Sequence, residues 1–457
     1  MSTMQSVNPA TEEILSTFQK MDRQEVDSIL AESVNAFRSW RSGPLAQRVA
    51  CARELANVLR QNADRFASTI SSEMGKTLNE AKGEVNKCAG HCEYFAEKAG
   101  AFLAPESISD ALRPTYVSYE PLGVILAIMP WNFPFWQVLR FAVPAMLAGN
   151  TVILKHASNV TGSALAIESA FRDAGFPSGT FRTLVIPSAD VGSLIADDRI
   201  AAVTLTGSEV AGREVAAAAG RALKKVVLEL GGSDPFIVLE DADISGAAEY
   251  AARSRFQNAG QSCIAAKRFI VLESIADQFE QAFVERANAI VVGDPDSAGT
   301  QMGPLARADL RTILERQLAE SVKEGAKILT GGRALARKGY FFEPTVVGDV
   351  SRKMSIFREE TFGPVAAVVR VKTIDEAIDT ANDCIYGLSS NIWTRDISAA
   401  KALAKRIEAG GVFINGMTAS APQVPFGGIK KSGFGRELSV QGIREFTNLQ
   451  TVWIERE

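Results

Sequence analysis

Histidine is scarce in this sequence of 457 residues, which contains only His91 and His156. Because histidine is the side chain most often used as a general base, a nucleophile in this chain would have to find its base elsewhere. Cys88, His91 and Cys92 form a C-x-x-H-C pattern on a predicted helix, but no distant second half accompanies it. A structural zinc site needs about four such ligands, so we predict no metal site.

Cysteine is also sparse and unevenly spaced. The five cysteines are Cys51, Cys88, Cys92, Cys263 and Cys384. An odd number at irregular spacing does not suit a disulfide framework, and we expect a reducing, cytoplasmic setting. The first residues lack the basic region and apolar core of a signal peptide, so we expect none.

Long basic runs and long uninterrupted apolar runs are absent as well. The formal net charge is −4 and 22% of residues are charged, so a nucleic-acid partner has little electrostatic support. Residues 121–139 carry no charge, but two internal prolines and two side-chain amides interrupt them, and Arg140 follows at once. A buried strand, a loop and a helix explain this segment better than a membrane span does.

The order of the predicted elements favours an α/β fold with two or three domains. Residues 22–104 have helical periodicity, and from residue 151 short β-rich runs alternate with helical ones. Such alternation predicts parallel sheets that bind ligands at the carboxyl ends of their strands. The pattern restarts at residue 235 and continues to about residue 435, which predicts a second α/β domain. The tail is predicted to form a small sheet with TYVSYEP that pairs with another subunit.

Small residues near strand ends suggest a nucleotide site, although the usual dinucleotide fingerprint G-x-G-x-x-G is absent. Gly207, Ser208 and Gly212 lie between a predicted strand and a helix, where small residues let a phosphate reach the helix N-terminus. Lys155 stands at the carboxyl end of another strand, the edge at which such sheets bind ligands. Both features also have structural explanations, since strand–glycine–helix turns are common and strand-end lysines are usually solvated.

Three further residues have the chemistry of a covalent catalyst. Cys263 follows a Gly-Gln-Ser turn whose backbone N–H groups would stabilise a thiolate or an oxyanion. Glu229, between Leu228 and Leu230, would be desolvated, which raises its pKa towards the range of a general base. Asn132, between two prolines, would be held in one orientation as an oxyanion donor. Taken singly, the three also suit a buried small side chain, an ion-paired glutamate and a turn asparagine.

Together these motifs resemble those of the aldehyde dehydrogenase superfamily. The segments that carry the resemblance, in the family's order and spacing, are PWNFP, TGS, LELGGSDP, GQSC, EETFGPV and PFGGIKKSGFGRE, over residues 8–453. Within the superfamily the chain looks most like bacterial succinate-semialdehyde dehydrogenases, as IMPWNFPFWQVLRFAVPAMLAGN, LKHASNV and LELGGSDPFIV indicate. The family's cofactor domain lacks the usual glycine fingerprint, which agrees with its absence here.

The resemblance implies an aldehyde dehydrogenase-like α/β fold with a Rossmann-type NAD(P)-binding domain, an α/β catalytic domain and a small oligomerisation β-hairpin. We place the cofactor domain in residues 1–102 and 121–230, the catalytic domain in 231–435, and the oligomerisation segment in 103–120 and 436–457. The resemblance also implies a homodimer or homotetramer that acts on a small aldehyde. No nucleic-acid or membrane partner is expected.

The resemblance gives roles to the residues already singled out. Cys263 would attack an aldehyde carbon, Asn132 and the Cys263 backbone N–H would hold the oxyanion, and Glu229 would deprotonate the water that hydrolyses the thioester. Because Glu229 is present to activate water, coenzyme A is not an expected acceptor. The residues that match cofactor contacts are Trp131, Lys155, Ser158, Gly207, Ser208, Leu230, Glu360 and Phe362.

Ser158 bears on the choice of cofactor. Many NAD-preferring relatives carry a glutamate three residues after the strand-end lysine, where it bonds the adenine ribose and repels a 2′-phosphate. A small neutral serine near Lys155 leaves room and positive charge for that phosphate. We therefore expect NADP to be preferred and NAD to be used less well.

Arg140 and Ser420 match residues that bind the carboxylate of succinate semialdehyde in that branch. An arginine in an otherwise apolar run needs a partner, either the substrate or an internal acidic residue. Some relatives carry a further arginine where this chain has Gln257, and Arg255 would face elsewhere on a helix. Glutarate semialdehyde, a neutral aliphatic aldehyde or a non-catalytic role are the alternatives. Ala265 replaces a second cysteine of some relatives, so no redox-sensitive disulfide is expected.

Overall fold

The protein is described from a computed structural model that covers residues 3–109, 111 and 113–455. The helices of these residues are α1 (Arg23–Ser42), α2 (Leu45–Gln61), α3 (Ala63–Met74), α4 (Leu78–Phe102), α5 (Pro134–Leu147), α6 (Thr161–Asp173), α7 (Val191–Ala196), α8 (Glu209–Arg221), α9 (Ile244–Phe256), α10 (Glu273–Asn288), α11 (Ala308–Lys323), α12 (Ser355–Arg358), α13 (Ile374–Asn382), α14 (Ile397–Ala404) and α15 (Ser439–Glu445). The strands are β1 (Thr3–Val7), β2 (Ile14–Gln19), β3 (Glu106–Ser107), β4 (Thr115–Pro121), β5 (Val124–Met129), β6 (Thr151–His156), β7 (Phe181–Thr183), β8 (Ile200–Thr206), β9 (Lys225–Glu229), β10 (Asp234–Val238), β11 (Ala266–Leu272), β12 (Lys327–Thr330), β13 (Thr345–Gly348), β14 (Val365–Val371), β15 (Tyr386–Gly387), β16 (Ser389–Trp393), β17 (Gly411–Ile414), β18 (Ile429–Lys430), β19 (Gly433–Phe434) and β20 (Thr447–Trp453).

A first sheet, in the order β19-β9-β8-β5-β6-β7, lies between two hydrophobic cores. Its neighbouring strands are parallel except at β19–β9. Alternate side chains of β5 face opposite sides, so Ile125 and Ala127 pack with α2 to α6, whereas Val124 and Leu126 pack with α1, α7 and α8. The predicted α/β class is confirmed. The short strand β19 comes from the segment that the sequence places in the second domain.

The uncharged segment 121–139 has the predicted form of a strand, a loop and a helix. It contains β5, a short loop at 130–133 and the first part of α5. In the described part of the chain, no helix is both long and apolar enough to cross a membrane.

A second sheet, in the order β12-β13-β14-β11-β10-β16-β17, is parallel except at β12–β13. Its central strands β10 and β11 are buried along their whole length, as expected for a sheet covered on both faces, and apolar residues predominate in both. Cys263 belongs to the segment just before β11, so it lies at the amino end of that strand. Glu229 and the loop after β5 lie at the carboxyl ends of strands in the first sheet.

A third, antiparallel sheet has the order β20-β4-β3. The predicted pairing of the tail with TYVSYEP is confirmed, with Thr447 opposite Pro121 and Trp453 opposite Thr115. Leu449 and Trp453 of β20 are exposed by 63% and 51% of their surface. This apolar exposure leaves the sheet available for a contact with another chain.

A buried carboxylate joins the helical N-terminal layer to α5, the helix that follows the Asn132 loop. Glu84 of α4 accepts hydrogen bonds from the backbone N–H groups of Phe135 and Trp136, at 2.8 and 2.9 Å. Because α5 has no side-chain cap of its own, Glu84 satisfies its first-turn donors from a different helix. Lys76 Nζ lies 2.5 Å from the other carboxylate oxygen, and both side chains are almost fully buried. The charge of Glu84 is thus paired as well as hydrogen-bonded.

Replacing Glu84 with glutamine should lower the free energy of unfolding by about 3–5 kcal/mol, because it leaves the Lys76 ammonium buried without its counter-charge. Urea unfolding followed by tryptophan fluorescence measures this loss. Glu93→Gln on the same helix is the matched control, since its partner Arg60 is 44% exposed and such a pair contributes less than about 1 kcal/mol. Equal losses in the two variants would contradict a stabilising role for the buried pair.

Candidate active site

Cys263 lies in the wall between two cavities. One cavity, of about 280 Å³, we name the cation pocket; its lining includes Lys87, Trp136, Arg140, Arg253, Cys263 and Ser420. The other, of about 400 Å³, we name the glycine cleft; its lining includes Trp131, Asn132, Gly207, Glu360, Phe362 and Cys263. A thiol shared by two cavities can meet one molecule from each side.

The backbone before Cys263 has an unusual conformation. Asn258, Ala259 and Gly260 have φ values of 55°, 52° and 71°, so three successive residues lie in the left-handed region. Two of them are not glycine, and such residues pay a conformational cost that the surroundings must offset. At Gly260 an added Cβ would collide with the backbone carbonyl of Gly363, so only glycine fits. The loop is therefore shaped by its neighbours rather than by local preference.

Two buried cations hold this loop. Lys267 Nζ donates to the carbonyl oxygens of Ser262, Cys263 and Ala265 at 3.0, 3.0 and 3.1 Å. Arg255 donates to the carbonyl of Gly260 at 2.5 Å and does not line the cation pocket, as its predicted orientation requires. Lys267 was not predicted from the sequence; the available signal was a lysine followed by an arginine inside the mostly apolar run AKRFIVL.

The loop that contains Asn132 packs directly against the Cys263 loop. Asn258 Nδ2 donates to the carbonyl of Asn132 at 2.9 Å, and Asn132 Nδ2 donates to the carbonyl of Gln261 at 3.1 Å. One N–H of the buried Asn132 amide thus fixes its orientation, and Asn132 lines the glycine cleft together with Cys263. This geometry suits an oxyanion donor.

Burial dominates the electrostatics of the thiol. It raises the pKa of Cys263 to about 12, against the opposing effect of the Arg140 and Lys267 charges. Glu360 and Asp234 also raise this pKa, to a smaller extent. Without a ligand the thiol is therefore mostly protonated at neutral pH.

Glu229 is the last residue of β9 and is almost fully buried. Burial and the nearby Glu437 charge raise its pKa well above the usual value. Within the described residues, neither carboxyl oxygen has a hydrogen-bond partner, and Glu229 lines neither cavity. Its next neighbours Leu230 and Gly231 do line the glycine cleft. The side chain instead lies against Gly427, where a Cβ would stand 2.7 Å from Glu229 Oε1.

The glycine cleft brings together most of the residues that the sequence predicts as cofactor contacts. These are Trp131, Gly207, Ser208, Leu230, Glu360 and Phe362. Glu360 accepts from the backbone N–H of Gly232 at 3.0 Å, and the Trp131 and Phe362 rings lie 5.7 Å apart. Ser208 caps α8, whose N-terminus opens onto the cleft. A cleft with small residues, a helix N-terminus that can bind phosphate and a fixed carboxylate suits a dinucleotide.

Lys155 and Ser158 lie outside the lining of this cleft. Lys155, near the end of β6, donates to Ser188 Oγ at 3.0 Å, and Ser158 is exposed just after that strand. Over residues 3–109, 111 and 113–455, no carboxylate lies within 4.0 Å of Lys155 Nζ. A phosphate there would meet a cation and no opposing negative charge.

In the cation pocket, Arg140 forms a buried ion pair with Glu437, the internal partner that the sequence left as an alternative. Its guanidinium also stacks over the Phe426 ring, at 4.5 Å. Ser420 Oγ accepts hydrogen bonds from Lys87 Nζ and Trp136 Nε1, at 2.8 and 3.1 Å. Lys87 was not predicted from the sequence, because a lysine on a long helix carries no local sign of a site.

Gln257 and Ala265 also line the cation pocket. Some relatives carry an arginine at the position of Gln257. In this chain the neutral Gln257 side chain takes that place in the lining. Arg253, one helical turn earlier, is an exposed part of the same lining.

The raised thiol pKa predicts an unusual pH dependence of alkylation. Without ligands, the rate at which iodoacetamide modifies Cys263 should rise roughly tenfold per pH unit from about pH 7 to 10, because only the thiolate reacts. N-acetylcysteine, with a pKa of about 8.5, should level off within that range. Peptide mass spectrometry separates Cys263 from the other cysteines. A plateau below about pH 9 at Cys263 would contradict the effect of burial.

Comparison with known proteins gives a consistent result. The family model described as "Aldehyde dehydrogenase family" matches residues 1–452. The chain is 49% identical to a probable NADP(+) succinate-semialdehyde dehydrogenase of Synechocystis sp., over 98% of this chain and 99% of that protein. It is 50% identical to succinate-semialdehyde dehydrogenase [NADP(+)] 1 of Mycobacterium tuberculosis, over the same shares. The solved succinic semialdehyde dehydrogenase of Streptococcus pyogenes with NADP+ matches with a TM-score of 0.97, at 38% identity, over 99% of each chain.

Proposed function

The chain belongs to the aldehyde dehydrogenase family, and we propose that it oxidises succinate semialdehyde to succinate with NADP. The observation that carries this proposal is the position of Cys263 between a cationic pocket and a glycine-lined cleft. An aldehyde with a distant carboxylate suits the first cavity, and a dinucleotide suits the second. Relatives named for the same reaction support the substrate and the cofactor.

Cys263 is the proposed nucleophile. Its sulfur adds to the aldehyde carbon, and the carbonyl oxygen becomes an oxyanion that the Asn132 amide and the Cys263 backbone N–H stabilise. The left-handed turn at Asn258–Gly260 and the three bonds from Lys267 fix the loop, so the thiol needs little reorganisation before it attacks.

Glu229 is the proposed general base for hydrolysis of the thioester. Burial raises its pKa well above the usual value of a glutamate, and a raised pKa makes the carboxylate a stronger base. Because it lines neither cavity in this structure, we propose that a change of rotamer at the end of β9 carries the carboxylate towards the thioester. The gap beside Gly427 receives the side chain in its resting position.

The adenosine end of the cofactor would be held by Lys155 and Ser158. The nicotinamide half would be held by the residues of the glycine cleft, namely Trp131, Gly207, Ser208, Leu230, Glu360 and Phe362. When bound, the nicotinamide accepts the hydride that leaves the substrate carbon. Among the described residues Lys155 has no carboxylate partner, and Ser158 is neutral. Both features favour a 2′-phosphate, so NADP is the preferred form and NAD the weaker one.

The sheets also have proposed roles in the assembly. Residues 1–102 and 121–230, which contain every strand of the first sheet except β19, would bind the cofactor, and residues 231–435 would carry the thiol. The third sheet, in 103–120 and 436–457, exposes Leu449 and Trp453 and would join subunits into a homodimer or homotetramer. The free cysteines support a cytoplasmic location.

Cys263→Ser should lower kcat for succinate semialdehyde by at least ~10³, because a serine hydroxyl ionises far less readily than a thiol. NADPH absorbance measures the rate. Cys384→Ser, which changes a cysteine outside both cavities, should retain the wild-type rate. The same assay run on glutarate semialdehyde and butanal tests the substrate. A higher kcat/KM for either of these, or wild-type turnover by Cys263→Ser, would overturn the proposal.

Ser158→Glu should shift the ratio of kcat/KM for NADP over NAD towards NAD by at least about tenfold, because a carboxylate there repels the 2′-phosphate. Steady-state rates with both cofactors measure the ratio. Ser398→Glu, an exposed serine on α14, adds the same charge away from the cleft and should leave the ratio unchanged. A ratio that both variants leave unaltered would contradict the role of Ser158.

A further inference from the structure

The charges of the cation pocket are not balanced by its acidic neighbours. Arg140 already has a partner, because it forms a buried ion pair with Glu437. The other cations of the lining are Lys87 and Arg253, and within the described residues neither has a carboxylate within 4.0 Å. The excess positive charge of the pocket therefore lies on these two side chains rather than on Arg140.

Lys87 is the better placed of the two. It projects from α4, and its ammonium lies 2.8 Å from Ser420 Oγ and 3.9 Å from the centre of the Trp136 ring. Ser420 Oγ also accepts from Trp136 Nε1 at 3.1 Å, so both lone pairs of that oxygen are used and its own hydrogen is free to donate. The Ser420 hydroxyl can donate this hydrogen to a ligand in the pocket, and Lys87 has further N–H groups that can donate to the same ligand.

We propose that Lys87, acting with Ser420, binds the substrate carboxylate and is the residue that selects aldehydes with a terminal carboxylate. The inference deepens the proposed function and rests on it. Arg140 then has a different role, because its charge is already paired with Glu437 and opposes the rise in the pKa of Cys263. A carboxylate on Lys87 and Ser420 would orient the other end of a short chain towards the thiol, since all three residues line one cavity of about 280 Å³.

The surroundings of Lys87 also predict a pH dependence. Desolvation, followed by the Arg140 charge and, to the smallest extent, the Lys76 charge, lowers the pKa of Lys87 to about 8. Cys88 and Glu84 act in the opposite direction with smaller effect. Because the ammonium is charged below this pKa and neutral above it, affinity for a carboxylate is present at low pH and is lost as the pH rises through about 8.

The experiment compares kcat/KM for succinate semialdehyde with kcat/KM for butanal in the same enzyme preparation. The ratio cancels changes in thiol reactivity, which affect both aldehydes. Lys87→Met should lower the ratio at least about tenfold, mainly through KM for succinate semialdehyde, whereas Lys87→Arg should retain most of it. Lys98→Met removes a lysine from the far end of α4 and should leave the ratio within about twofold of wild type.

The pH profile provides a second readout that a purely structural role would not change. In the wild type the ratio should fall between about pH 7 and 9, and in Lys87→Arg the fall should disappear, since an arginine stays charged. The assignment to Lys87 is overturned if Lys87→Met leaves the ratio unaltered, or if Arg253→Met lowers the ratio and Lys87→Met does not. Either result leaves the proposed substrate standing. A wild type that oxidises butanal and not succinate semialdehyde overturns the proposed substrate together with Lys87.

Discussion

The left-handed backbone at Asn258, Ala259 and Gly260 is the constraint on which the site depends. It turns the chain between α9 and β11 so that Cys263 faces two cavities at once. Two of these residues have a Cβ and resist the conformation, so it persists only because contacts from both sheets hold it. The Asn132 loop bonds Asn258, and Arg255 bonds the carbonyl of Gly260. Lys267 of β11 then holds the carbonyls of the residues that follow, including Cys263.

Burial then sets the chemistry of the two acidic groups. It raises the pKa of both the Cys263 thiol and the Glu229 carboxyl, because a buried site disfavours the charged form of each group. Arg140 and Lys267 oppose this effect at the thiol, and Glu437 reinforces it at the carboxyl. In the proposed reaction an oxyanion forms on the substrate when the thiol adds to the aldehyde, and Asn132 would stabilise it.

Local patterns in the sequence were sufficient to predict the helices and strands and the site residues next to them. The strands before Gly207 and Glu229 and the pairing of β4 with β20 follow from periodicity and order. The family resemblance assigns eight residues to the cofactor, and six of these line the glycine cleft. What remained hidden depends on contacts between distant segments. Lys87 meets Ser420 across 333 positions, and Arg140 meets Glu437 from the other end of the chain.

The most direct test of covalent catalysis at Cys263 is a single-turnover measurement on Glu229→Gln with NADP and succinate semialdehyde. The account predicts a burst of at most one NADPH per subunit, then arrest, with intact mass increased by one succinyl group that maps to Cys263. This outcome follows because the thioester forms without the base but is not hydrolysed. Continuous turnover at the wild-type rate, or a burst with no adduct on Cys263, would contradict the account.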